Sequence, residues 1–294
     1  MAPGAISDFA PPPTEPTPET QISTANAPSP ALFSLAGQTI AITGGGRGLG
    51  ITLAIAVIEA GGHVACLDVL PAPAEKEWVV IQSLAKKSGV SATYSKCDIT
   101  NENDIQMTFD EIASRETSRI APFSGIIACA GIQQKTLAVD YPAEDFNRML
   151  SVNVTGTFLT AKHASRLFIK NNIKGSIVLI ASMSGTIANR GLHCTAYNSS
   201  KAAVHQMARS MAQEVGQYGI RVNTLSPGYI RTAMTDALLK EEPHLEPLWM
   251  GGALLGRLGA VEDFKGPAIF LLAPGSSWMT GADLRVDGGH CASA

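Results

Sequence analysis

The amino-acid sequence predicts an α/β fold, one domain doubly wound on a parallel sheet of about seven strands. Three observations carry this expectation. From residue 32 onward, short apolar runs alternate with stretches of helical periodicity. Several of those runs are apolar at successive positions, as suits strands covered on both faces. A glycine-rich turn follows the first run directly and opens the first helix.

Taken in order, the strands are expected at 38–44 (QTIAITG), 63–69, 91–98, 123–131, 175–182 (GSIVLIAS), 220–228 and 282–289. Helical patterns lie between them at 49–60, 74–88, 102–116, 143–170, 197–217 and 261–273. Each strand–helix–strand step implies a right-handed crossover, so the strands should run parallel. No internal repeat and no linker divides residues 32–294. Residues 1–31 read differently. Eight of the 17 prolines fall there, beside Ser, Thr and Glu and almost no large apolar side chains. Such a composition cannot bury enough surface to offset its ordering entropy, so a disordered tail is expected. The first basic residue is Arg47, which gives no secretory or transit signature.

Of the 294 residues, 45% are hydrophobic and 16% charged, enough for a large core. A net charge of −3 gives no reason to expect nucleic acid or an anionic membrane as partner. The longest apolar runs, such as 126–131, are too short to span a bilayer, so a soluble protein is expected. Cys66, Cys97, Cys129, Cys194 and Cys291 are odd in number and lack CxxC spacing. They fit small hydrophobes in a reducing cytoplasm better than a metal or redox site, and no metal is expected.

The turn after the first strand reads ITGGGRGLG, with the spacing Gly44-x3-Gly48-x-Gly50. Glycines let the backbone turn tightly and approach a ligand closely, and the N-terminus of the next helix attracts a phosphate. Asp68 closes the second strand, where a carboxylate can bond the hydroxyls of an adenosine ribose and repel an added 2′-phosphate. A plain turn aspartate is the alternative. Arg47 argues the other way, because a guanidinium beside the adenosine could hold that phosphate. The balance favours NAD, with NADP as the alternative.

Tyr197, Lys201, Val204, Ala208, Met211 and Val215 share one helix face. Most of that stripe is ordinary core, but its N-terminal end carries a phenol and an ammonium. Either Lys201 snorkels while Tyr197 packs, or the two are machinery, since an unpaired buried ammonium is expensive.

Together, TGGGRGLG, YNSSK (197–201), MLSVNVTGT (149–157), SPGYIRT (226–232) and the closing VDGGH resemble the short-chain dehydrogenase/reductase family. The resemblance covers residues 32–294 and implies a single-domain Rossmann fold. IASMSGTIANR, AYNSSKAAVHQMARSMA and GIRVNTLSPGYIRT look more narrowly like its polyol branch of arabinitol, mannitol and sorbose enzymes. There are two departures. The family's NNAG is here Ala128-Cys129-Ala130-Gly131, which puts local packing in question. The serine matching the catalytic one, Ser182, lies fifteen residues before Tyr197, implying a longer intervening loop and leaving Ser184 as competitor.

By this resemblance Tyr197 is the general acid/base. Lys201 binds the nicotinamide ribose and lowers the tyrosine pKa. Ser182 steadies the substrate oxygen, and Asn153 holds a proton-relaying water. The alternative for Asn153 is a plain polar surface residue. Gly44, Arg47, Gly48, Leu49, Asp68, Asp98, Ile99, Ala130, Pro227, Ile230 and Thr232 complete the cofactor site. Asp98 and Ile99 flank adenine, and Thr232 reaches the carboxamide. Residues 232–256 read as a helical lid or, equally, as plain surface helices. Gln133, Gln134, Asn189, Arg190, His193 and Trp249 are candidates for a hydrogen-bonding pocket, each with a solvated loop as alternative. The leading expectation is a dehydrogenase exchanging hydride between a secondary alcohol of a polyol and the cofactor. A reductase of a hydrophobic ketone using NADPH is the nearest rival, and a non-catalytic dinucleotide-binding protein is a rival of another class. The family usually forms dimers or tetramers, and the helices at 143–170 and 197–217 are apolar enough to allow it.

Overall fold

The computed structural model describes residues 27–115 and 117–293. All seven expected strands form: β1 (Thr39–Thr43), β2 (His63–Asp68), β3 (Ala92–Lys96), β4 (Phe123–Ala128), β5 (Ser176–Ile180), β6 (Arg221–Pro227) and β7 (Asp283–Val286). They build one sheet in the order β3-β2-β1-β4-β5-β6-β7, with every pairing parallel. The inner strands β1, β4 and β5 are buried at every position, which is why their sequences do not alternate. Edge strand β7 alternates exposed and half-buried residues.

The chain leaves β1 toward one edge and returns to the other side of β1 at β4. This reversal opens a crevice at the carboxyl ends of β1 and β4, where ligands bind in doubly wound sheets. On one face lie α1 (Gly48–Glu59), α2 (Glu75–Ser88) and α10 (Lys265–Leu272), sharing a core with Ile40, Ile42, Val178 and Leu225. The other face is covered by α3 (Glu102–Ser114), α6 (Thr157–Lys170) and α7 (Thr195–Val215), over Ala41, Ile126, Ile177 and Val222. The sheet alternation therefore sorts its side chains into two separate cores. Phe109, Phe123 and Phe168 form an edge-to-face chain in the second, with centroids 5.3 and 5.2 Å apart.

Helix ends follow local chemistry. Asn101 caps α3 by accepting from the N–H groups of Asn103 and Asp104. Gly89 ends α2 at φ +69°, where a side chain would be strained. Arg221 reaches from β6 to the carbonyls of Leu272 and Ala273, satisfying the C-terminal end of α10.

One difference from the sequence reading concerns local geometry. The helix expected at 143–170 is interrupted: α5 (Ala143–Leu150) passes through a π-helical turn, Ser151–Gly156, before α6. Hydrophobic periodicity reports a buried face and cannot report one extra residue in a turn. The stretch at 232–256 forms two short helices, α8 (Ala233–Glu241) and α9 (Leu245–Gly252), after the small helix α4 (Thr117–Ile120) had closed the α3–β4 link. Upstream, Ser29–Phe33 makes one 3-10 turn, and Phe33 meets Phe270 of α10 at 6.3 Å between centroids. Most of the expected tail, residues 1–26, lies outside the described residues.

Candidate active site

The glycine turn is shaped by contacts that only glycine permits. Gly44 has φ +67°, and a Cβ there would sit 2.7 Å from Ala130 Cα. At Gly50 a Cβ would lie 2.0 Å from the Gly44 carbonyl oxygen. By contrast Gly48, at φ +57°, has nothing within 4 Å of such a Cβ, so the outer side of the turn is open. Helix α1 begins there, and the side chain of its N-cap Arg47 makes no capping bond. The result is a bare backbone cradle at a helix N-terminus, which fits the pyrophosphate of a dinucleotide.

Asp68 stands beside this cradle. Its Oδ2 accepts from the Gly46 N–H at 3.0 Å and its Oδ1 from the Leu70 N–H at 3.2 Å. Arg47 is exposed and Leu49 half-buried next to it. Asp98 turns inward on its own loop, accepting from the backbone and hydroxyl of Thr100 at 2.9 and 2.8 Å. Ile99 is buried under Gly156, where a Cβ would come 2.6 Å from its Cδ1. Across the crevice, the Ala130 N–H donates to Thr43 Oγ1 at 3.4 Å.

The π-turn carries Asn153, which is 1% exposed. Its Oδ1 accepts from the Ile132 N–H at 2.8 Å, and its Nδ2 donates to the Ile132 carbonyl at 2.9 Å and to Ser200 Oγ at 3.0 Å. Ser200 in turn donates to the Tyr197 carbonyl at 2.7 Å. Asn153 is therefore not the surface residue that was its alternative. It ties the strand-end loop to the first turn of α7. Ser200 was missed by the sequence reading, although its place beside Lys201 was a signal.

Lys201, 6% exposed, donates Nζ to the Ile180 carbonyl at 2.7 Å and lies 5.6 Å from the centre of the Tyr197 ring. Ser182 is buried on the facing turn. Its Oγ accepts from the Ser184 N–H at 3.1 Å and faces the Pro227 carbonyl at 3.5 Å. That turn approaches α7 closely because residue 185 is glycine; a Cβ there would be 2.7 Å from the Lys201 carbonyl carbon.

In the protein without cofactor, burial dominates the electrostatics of the pair. Burial pushes the Tyr197 phenol up to about 12, against which the Ser182 hydroxyl pulls it down. Burial also pushes Lys201 down to about 8. Within the protein alone desolvation outweighs any help the ammonium gives the phenolate, because both charged forms are costly there. Cys129, the departure in the strand-end motif, sits near Lys201 as a thiol pushed up to about 12 by burial, and so is no nucleophile.

Beyond β6, Pro227 places its carbonyl 3.5 Å from Ser182 Oγ. Ile230 forms a parallel bridge with Gly259, and Thr232 caps α8 by accepting from the Thr235 N–H at 3.2 Å. Helices α8 and α9 pack around a small core of Leu239, Leu245, Trp249 and Leu258. Trp249 is 3% exposed and stacks on Tyr229 with centroids 4.2 Å apart. Lys135 pairs with Glu242, and Arg231 pairs with Asp236 and Glu246, tying the α8–α9 segment to the loop after β4 and to the end of β6.

Two of the pocket candidates are hydrogen-bonded internally, and a third is buried with its indole N–H unpaired. Asn189 donates to the Tyr229 hydroxyl at 3.0 Å, Gln134 to Asp145 at 2.9 Å, and Trp249 lies inside the α8–α9 core. The extra length before Tyr197 packs there as well: at Gly191, φ +77°, a Cβ would meet Leu248 of α9 at 2.6 Å. Gln133, Arg190 and His193 remain exposed. Among the described residues there is no group of three or more His, Cys, Asp or Glu that could hold a metal, and no helix long and apolar enough to cross a membrane.

This combination of parallel sheet, glycine cradle and Ser–Tyr–Lys cluster has counterparts among known proteins. Residues 44–290 match the family model described as enoyl-(acyl carrier protein) reductase. The chain is 47% identical over 264 residues to the short chain dehydrogenase/reductase notP' of Aspergillus versicolor, covering 88% of this chain and 89% of the relative. It is 34% identical over 267 residues to the ribulose-forming D-arabinitol 2-dehydrogenase of Candida tropicalis, covering 88% and 94%. Among solved structures, an NADPH-dependent 3-quinuclidinone reductase from Rhodotorula rubra superposes with a TM-score of 0.83 at 34% identity, over 95% of this chain and all of that one. The chain belongs to the short-chain dehydrogenase/reductase family. It is an oxidoreductase of alcohols and ketones that uses a nicotinamide cofactor.

Proposed function

We propose that the protein interconverts a secondary alcohol of a polyol and the corresponding ketose, with Tyr197 as the general acid/base. The observation that carries this reading is the gathering of buried Ser182 and Lys201 around the half-buried Tyr197, with Lys201 Nζ 5.6 Å from the centre of its ring. The cradle of Gly44, Gly48 and Leu49, with Arg47, Asp98, Ile99, Ala130, Pro227, Ile230 and Thr232 around it, would hold the nicotinamide dinucleotide. That cofactor supplies the hydride chemistry.

In the direction of ketone reduction, a phenol pushed up to about 12 holds its proton at neutral pH and can donate it to the carbonyl oxygen. Ser182 donates a hydrogen bond to the same oxygen as its charge develops. Lys201, reaching from the Ile180 carbonyl to the cofactor ribose, presents its ammonium beneath the phenol. Asn153 holds the strand-end loop and the Tyr197 turn in one frame, beside which a relay water would sit.

NAD is the preferred nucleotide in this reading, because Asp68 is fixed at the ribose end of the cradle by two backbone donors. NADP is the alternative, supported by the exposed Arg47 and by relatives named for that nucleotide. The polyol assignment draws on relatives named as galactitol, arabinitol, sorbose and mannitol enzymes. A second substrate reading, a bulkier apolar ketone, is favoured by the lid core of Leu239, Leu245, Trp249 and Leu258 and by the internal use of Asn189 and Gln134. Homo-oligomer assembly is part of the proposal, supported by the exposed Phe158 on α6. So is a cytoplasmic site, supported by five unpaired cysteines.

The test is a panel of initial rates with NAD(H) and NADP(H) against arabinitol, mannitol, sorbitol, their ketoses and a bulky apolar ketone. Polyol turnover is expected, faster with NAD. No polyol turnover with either nucleotide would sink the lead reading, and turnover of the apolar ketone alone would replace it.

A further inference from the structure

One turn beyond Lys201 on the same face of α7 lies His205, 7% exposed. Its Nε2 is 2.8 Å from Ser226 Oγ, and Ser226 Oγ is 2.5 Å from Asp283 Oδ1. Thr224 Oγ1 bonds the same carboxylate oxygen at 2.6 Å. The directions of these bonds follow from the groups. A carboxylate can only accept, so the hydroxyls of Ser226 and Thr224 both donate to Asp283. Ser226 then has lone pairs left, and His205 must carry its proton on Nε2 and donate to it. The chain runs His205 to Ser226 to Asp283, joining α7 to β6 and β7.

Serine, histidine and aspartate invite comparison with a nucleophile triad, but the order here is wrong for that chemistry. In such a triad the serine gives its proton toward histidine. Here it gives it to aspartate, and Ser226 is 0% exposed.

What the chain does is hold position. Helix α7 is fixed to the sheet by two polar bonds from its buried face: Lys201 to the Ile180 carbonyl of β5, and His205 to Ser226 of β6. Ser226 immediately precedes Pro227, whose carbonyl faces Ser182. The first of these bonds belongs to a side chain that, in the function proposed above, must turn toward the cofactor ribose.

We propose that His205 is a positioning residue: through Ser226 and Asp283 it fixes the register of the Tyr197–Lys201 turn against the end of β6, and it alone does so once Lys201 engages the cofactor. The inference rests on that assignment of Lys201. Burial holds the imidazole below its ordinary range, which agrees with a neutral ring donating from one nitrogen.

The experiment compares full-length wild type with His205→Leu, His205→Gln, Ser226→Ala and the His205→Leu/Ser226→Ala double variant. Misplacing a reacting group by about 1 Å can cost on the order of a hundredfold, so kcat of His205→Leu should fall by roughly tenfold or more. Nucleotide KM should stay within about twofold, and the double variant should be no worse than the single, as for residues in one network. Glutamine, which keeps a donor, should restore most of kcat. Amide hydrogen exchange across residues 195–204 supplies a readout independent of substrate. His205→Leu should match wild type without nucleotide and exchange faster with it. Wild-type kcat and exchange in His205→Leu, additive losses in the double variant, or no rescue by glutamine would each overturn the proposal. Should His205→Leu not fold, Ser226→Ala decides by the same kcat and exchange criteria. If wild type turns over none of the alcohols or ketones, the proposed function fails, and the exchange comparison still decides the role of His205.

Discussion

Replacing Tyr197 by phenylalanine removes one oxygen from a ring whose contacts otherwise persist. The phenol is the group proposed to pass its proton to the substrate oxygen, and burial keeps it protonated at neutral pH. Loss of a general acid/base typically costs about 10²–10⁴-fold, so turnover in Tyr197→Phe should fall to near background while nucleotide binding, measured by fluorescence, stays close to wild type. The paired lysine gives a pH signature. Lys201 is charged below about 8 and neutral above it, since burial lowers its folded value. Its favourable charge is therefore present at low and neutral pH and lost as pH rises. The profile of kcat/KM for ketone reduction, which reports groups of the free enzyme, should be flat near neutrality and decline above about pH 8. Of these residues, the tyrosine–lysine pair and the glycine turn stand out in the sequence because spacing along one helix or one turn places them, whereas Ser182 was reached only through the family resemblance. Ser200 and His205 were not reached at all. Their partners stand 47 and 21 positions away in the chain, and only the packed structure brings those hydroxyls together.

At the scale of elements, seven strands and the main helices could be read because burial on both faces leaves an apolar run, and burial on one face leaves a helical period. Asn189 and Trp249 show where such reading stops. A polar loop residue and an aromatic of α9 both suggest a pocket, but the packing of α9 against residues 189–193 buries them as supports. Sheet and helices meet in a core of fully buried side chains. Phe168 of α6 is fully buried, stacks edge-on with Phe123 of β4, and presses on Gly175, where a Cβ would lie 2.2 Å from its ring. Phe168→Ala should destabilise the protein by about 3–5 kcal/mol. Thermal denaturation should show this as a Tm lowered by roughly 10 °C. A shift of only a degree or two would mean that the cavity collapses.

For the whole molecule, the site is a property of the sheet's reversal point rather than of any one segment: Gly44, Ala130, Asn153, Ser182, Tyr197 and Pro227 come from six separate stretches. None of them precedes β1, so deletion of residues 1–26 should leave kcat and KM unchanged in the rate panel, and a large loss of turnover would refute that. The π-turn between α5 and α6 sets a different kind of constraint. An α-helix advances about 100° per residue, so a turn with one residue more than the α count changes the facing of everything after it. Deleting a single residue between Ser151 and Gly156 would let the segment relax into regular helix. It would swing Asn153 off Ile132 and Ser200, or else rotate the buried face of α6 away from β4. At this point the number of residues matters more than their kind. The enzyme should tolerate many substitutions on the outer side of the turn, and no change in its length.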